Sequence, residues 1–260
     1  MSIYRFPELK SNEQRGSKPR CHLLTDGSPE QVSKRLTDLI KPWGKVDVTD
    51  RWMPHGFEDI TEAQLGKKDN LLGPTVGKSL VNWWLAVSEG RVPHWDIAST
   101  CTIEGSPGLL LVEAKAYDGE LIEAEAGKTY DKEESEGSRR NRLQIASCME
   151  EANVSLSAQT KVKTPWALSI EHHYQMSNRF AWSWKLTELG FPVVLIYLGF
   201  LNAEEMRDKG LPFGDYRSWE RLVLSHSDPL FDETIWDQRW LLNGKPFIPL
   251  IKSYQQSLDR

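Results

Sequence analysis

Residues 109–117 read LLLVEAKAY, and the run just before them, 94–103, reads HWDIASTCTI. The first is apolar on both faces where it begins, which predicts a central strand rather than an edge. Strand side chains alternate between faces, so Glu113 and Lys115 share one face while Val112 and Ala114 take the other. A carboxylate and an ammonium rising from an apolar strand need partners, because burying charge alone is expensive. An internal salt bridge is the plain reading. The functional reading is a metal-binding carboxylate beside a lysine that positions water. Asp96, on the preceding run, offers a second hard oxygen of the kind magnesium prefers.

Working outward, a turn at 104–108 (EGSPG) separates the two runs. A symmetric hairpin about residues 106 and 107 pairs 96 with 117. Asp96 and Glu113 then share a face but stand four positions apart, too far to share an ion at ~3.3 Å per residue. That register requires a bulge or bend near Asp96. Upstream, 76–90 (VGKSLVNWWLAVSEG) predicts a buried helix ended by Gly90, and 30–40 (EQVSKRLTDLI) a short amphipathic one. Downstream, 118–138 reads as a mobile polar loop and 139–153 as a helix. Residues 171–189 form a stronger helix stopped by Gly190 and Pro192, and VVLIYLGF at 193–200 is a second buried strand. Short helices are expected at 202–209 and 218–225, and an apolar segment at 246–252 is interrupted by Pro249. The turn-rich residues 1–29 predict an N-terminal arm that adds little to the core, leaving 30–260 as one domain with insertions.

The run Trp95-Asp96-Ile97-Ala98, a turn, then Leu111-Val112-Glu113-Ala114-Lys115 resembles the motif of the PD-(D/E)xK nuclease superfamily. Position 95 holds tryptophan where the motif has proline, with Pro93 two places earlier. The order of elements fits as well, over about half of the chain. The resemblance implies a restriction-endonuclease-like α/β fold, a mixed central sheet flanked by helices. It implies a phosphodiester hydrolase acting on DNA or, less readily, RNA. In that chemistry Asp96 and Glu113 hold Mg²⁺ (or Mn²⁺), with the backbone carbonyl of Ala114 as a further ligand, and the ion lowers the pKa of bound water. Lys115 orients or deprotonates that water. On helix 171–189, Gln175 reaches Lys115 or the substrate backbone and Arg179 meets phosphate, while Met176, Phe180 and Trp184 form the core stripe. The plainer alternative for Gln175 and Arg179 is a wet helix face. Arg139 and Arg140 are candidate phosphate contacts above the site, and Glu123 and Glu125 are reserve acids.

Composition sets the limits. Apolar residues make up 39%, charged residues 27%, and the net charge is -5, which excludes a basic nucleic-acid coat without excluding a local patch. Eleven tryptophans suit either a large core or a base-stacking groove. Three widely spaced cysteines argue against a disulfide scaffold or structural zinc. No apolar leader or spanning segment is read, so a cytoplasmic, non-membrane protein is expected, and a homodimer is compatible with it. His172 and His173 are adjacent without a ligand-spaced partner, and no phosphate-loop or nucleophile-elbow motif occurs. Two other functions compete: a non-catalytic nucleic-acid or protein-binding module on the same fold, and a metal-dependent hydrolase of a small substrate.

Overall fold

The computed structural model describes residues 6–123, 127 and 135–258. Its centre is a hairpin of β3 (Ile97–Ile103) and β4 (Ser106–Lys115). The turn is only two residues long, Glu104 and Gly105, both at positive φ (49° and 82°). Such turns match the right-handed strand twist, which is why they are favoured in hairpins. Ile103 therefore faces Ser106, and the ladder runs to Ile97 facing Val112. The centre of the hairpin thus lies two residues earlier than a symmetric reading of 104–108 places it.

β4 is central, as its two-faced apolar start predicts. It pairs antiparallel with β3 on one side and parallel with β5 (Val193–Phe200) on the other. β7 (Lys245–Tyr254) continues the sheet parallel to β5, and β6 (Trp240–Leu242) closes that edge antiparallel. Pro249 sits inside β7 because it lies beyond the last β6 pair. Its carbonyl accepts from the Asp237 N–H at 2.8 Å, so its missing donor faces no ladder. Two-residue strands β1 (Gly44–Lys45) and β2 (Trp52–Met53) both pair with β3. The fold is mixed α/β, with one mixed sheet flanked by helices.

Helices cover both faces. Leu110, Val112 and Ala114 of β4 pack with α1 (Ser17–Leu24) and α2 (Pro29–Ile40). Leu109 and Leu111 pack on the other face with α3 (Pro74–Trp84), α5 (Glu136–Thr160), α6 (Tyr174–Glu188) and α7 (Tyr216–Ser227). A short α4 (Asp118–Glu123) follows β4 where a loop was expected. Residues 124–126 and 128–134, Glu125 among them, lie outside the described residues, as does the Glu123 side chain. Trp84, Trp95, Trp182 and Trp219 are wholly buried, so much of the tryptophan content is core rather than groove.

Two expectations are corrected. From Phe6 onward the N-terminal arm is part of the core: Phe6, Leu9, Cys21 and Leu24 are buried. Buried Arg20 is satisfied by the Gly16 and Gln256 carbonyls and by Glu205, which hides a packed helix behind a polar composition. The helix expected over 76–90 ends at Trp84. Asn141 of α5 accepts from the Val87 N–H at 2.7 Å and donates to its carbonyl at 3.0 Å, holding that segment out of the helix.

Candidate active site

The two-residue turn decides where Asp96 lies. One step past the last ladder pair, Ile97 with Val112, sets Asp96 beside Glu113. β3 stops there because the Trp95 N–H turns away to the Ala63 carbonyl at 3.0 Å. Asp96 Oδ2 takes over the vacated position and accepts from the Ala114 N–H at 2.7 Å. The four-position gap and the bulge it required are thus both removed by register. A strand residue presents its N–H and carbonyl to the same side. The Ala114 carbonyl therefore faces Asp96 too.

Glu113 (1% exposed) and Lys115 (5%) rise from β4 beneath α6. Lys115 Nζ donates to Glu113 Oε1, and to Gln175 Oε1 at 2.9 Å. Arg179 donates to Glu113 Oε2 through Nε at 2.7 Å, and its Nη2 lies 2.6 Å from the same oxygen as an ion pair. Gln175 thus does reach Lys115. Arg179 departs from its expected role. It is buried, its remaining donors go to the His94 carbonyl (2.6 Å) and Asn178 Oδ1 (2.8 Å), and its guanidinium lies 4.6 Å over the Trp95 ring. The helix face that carries it packs on the sheet, where its guanidinium meets the Glu113 oxygen that Lys115 does not take. Arg179 is a partner of Glu113 rather than a free phosphate contact. Arg139 and Arg140 are exposed on the first turn of α5 and are not part of this network. The core stripe of Met176, Phe180 and Trp184 is buried as expected.

The two carboxylates are driven in opposite directions. Burial, then the neighbouring Glu113 charge, pushes Asp96 up to about 8. Burial would raise Glu113 as well, but Arg179 and Lys115 outweigh it and hold Glu113 below the usual range. Burial works against the Lys115 ammonium, yet Glu113 and Asp96 keep it above an ordinary lysine. Further acids surround this core. Glu120 of α4 accepts from the Ala116 N–H at 2.5 Å and from the Ser17 N–H and hydroxyl at 3.2 Å, and burial raises it. Glu62 meets Lys18 at 3.1 Å and His94 at 3.3 Å. Glu120 stands at a short helix start, Asp118-Gly119-Glu120, a local signal. Glu62 and Lys18 come together only through the fold.

No family model, no curated protein and no solved structure matches this chain. Among the described residues no group of three or more His, Cys, Asp or Glu side chains is arranged to hold a metal ion. A surface cavity of about 600 Å³, lined by Arg20, Asn202, Glu205 and Gln256 among others, includes none of Asp96, Glu113 or Lys115. The chemistry-bearing cluster is instead a compact buried network, in which Gln175 and Asp96 keep partial exposure. Among the described residues no helix is long and apolar enough to cross a membrane.

Proposed function

We propose that this chain is a divalent-metal-dependent phosphodiester hydrolase of restriction-endonuclease-like type, acting on DNA or, second, RNA. The observation that carries the reading is the register that sets Asp96 beside Glu113, with the Ala114 backbone and Lys115 next to them. The donor set is two carboxylates and a carbonyl, all hard oxygens. Magnesium keeps several waters and takes one or two protein carboxylates, so this set fits Mg²⁺ or Mn²⁺ without a third acid. When bound, such an ion supplies an acidified water and neutralises charge at phosphorus.

The chain's own residues then have separate tasks. Asp96 and Glu113 would hold the ion. Arg179 stays on Glu113, stacked on Trp95, and holds that carboxylate ionised and oriented. Lys115 must release Glu113 to reach an attacking water, and Gln175 keeps the ammonium aimed while it does so. Nucleic acid is the proposed partner because phosphodiester is the substrate this chemistry suits.

The second reading is a non-catalytic binding module, favoured by one observation: both Glu113 oxygens already accept from cations. Isothermal titration with Mg²⁺ on wild type, Lys115→Ala and Glu113→Gln, with cleavage of a DNA and RNA panel, separates the two. The hydrolase reading expects Lys115→Ala to bind the ion and lose turnover, and Glu113→Gln to lose both. Wild type that takes up no divalent ion, even with nucleic acid present, hands the case to the binding module.

A further inference from the structure

Among the described residues, the Tyr197 hydroxyl is the one buried side-chain oxygen with no hydrogen-bond partner. The other buried polar atoms in that condition are nitrogens, mostly indole N–H groups. Tyr197 is 1% exposed and lies on β5 directly opposite Glu113 in the parallel ladder. Paired residues share a sheet face, so the tyrosine and the carboxylate are neighbours under α6. The Glu113 and Arg179 charges both act on the hydroxyl, and Trp236 packs edge-on against the ring at 5.3 Å. Burial, with Glu113 next in effect, keeps the phenol protonated, so it is a hydrogen-bond donor. A buried hydroxyl left unpaired costs free energy that phenylalanine at the same place would not.

We propose that Tyr197 is a positioning residue, the reserve donor that pairs with Glu113 when Lys115 leaves it. In the arrangement described above, Lys115 and Arg179 occupy the Glu113 carboxylate and Tyr197 has nothing to do. Without a bound ion, breaking the Lys115 bond leaves a buried carboxylate oxygen short of a donor, an expensive state. A hydroxyl one strand away makes up that loss and eases the release of the lysine. The proposal rests on the reading that Lys115 must leave Glu113 to act, but its test needs no turnover.

The test is a double-mutant cycle read by urea denaturation on the full chain: wild type, Tyr197→Phe, Lys115→Met and the double variant. Tyr197→Phe alone is expected to leave the midpoint unchanged or raise it. Lys115→Met is expected to lower the midpoint about twofold more in the Tyr197→Phe background than in wild type, since tyrosine offers Glu113 a donor and phenylalanine does not. A merely structural tyrosine gives additive shifts, and additivity overturns the proposal. If Lys115→Met fails to fold in both backgrounds, Lys115→Ala is put through the same cycle and its additivity or coupling decides. A cleavage assay on the same proteins keeps the two readings apart. Wild type that neither binds Mg²⁺ nor cleaves refutes the hydrolase while the cycle still reports on Tyr197. A coupled cycle with a lowered kcat and unchanged Mg²⁺ affinity in Tyr197→Phe supports both.

Discussion

Asp96 and Glu113 are adjacent acids with opposite electrostatic surroundings, and that contrast gives a pH signature. Asp96 is carried from 3.8 to about 8 by burial first and the Glu113 charge second. Folding then favours its protonated form, so its contribution to stability is fully present below 3.8 and is lost as pH rises through about 8. Glu113, held below 4.5 by Arg179 and Lys115 against its burial, does the reverse and loses its contribution as the solution is acidified. Asp96→Asn should therefore flatten the decline in stability between pH 4 and 8, measured as urea midpoints across that range. A variant that tracks wild type at every pH would show that Asp96 does not titrate in this window. Glu113→Ala strands Lys115 and Arg179 as buried cations and should cost about 3–5 kcal/mol. For that reason Glu113→Gln is the variant to use in binding work, and chemical denaturation of both tells them apart.

Among the elements, α6 and the β3–β4 turn do most to build the site. α6 buries Asn178, Arg179, Phe180 and Trp182 together, so its polar and apolar faces are both internal. Phe180→Ala should cost about 3–5 kcal/mol, since the ring is fully buried among Trp166, Phe231, Trp236 and Phe247. Arg179→Ala should also destabilise strongly, because it uncovers the Glu113 charge. Differential scanning calorimetry on both variants checks this, and an Arg179→Ala protein as stable as wild type would return Arg179 to a solvent-facing role. The turn is tested at Gly105. A Cβ there meets open space, so Gly105→Ala reads only the backbone cost of φ 82°, about 1 kcal/mol. A Gly105→Ala protein with wild-type stability would argue against a two-residue turn and with it against the register that places Asp96.

For the whole molecule, α1 is structural. Gly16 lies at the start of α1 with φ 81°, and six of that helix's eight residues are buried. Arg20 ties α1 to Glu205 and Gln256, and Ser17 ties it to Glu120, so it bridges the site's edge and the far end of the chain. Amide exchange over residues 17–24 should be as slow as over β4, since opening α1 uncovers the sheet face carrying Val112 and Ala114. Exchange within seconds across that helix would mean that α1 is only loosely docked.

Local pattern carried a good deal of this protein. Two apolar strands, 109–117 and 193–200, were legible from hydrophobicity because a central strand has no wet face to interrupt it. The placement of Glu113 and Lys115 on one face follows from the two-residue period of a strand, and Gln175 and the Phe180 stripe from the helical repeat. Other features depended on contacts distant in sequence. The turn that sets Asp96 beside Glu113 is chosen by two residues at positive φ, and EGSPG alone permits more than one centre. Arg179 reads as a phosphate ligand until packing seats it on Glu113. α1 reads as an arm because its charges are neutralised by Glu205 and by carbonyls at residues 16 and 256. Periodicity reports which way a side chain faces within its own element. What it faces is decided by the register between strands and by the helix packed above, so the carboxylate pair and its two cations belong to the tertiary structure.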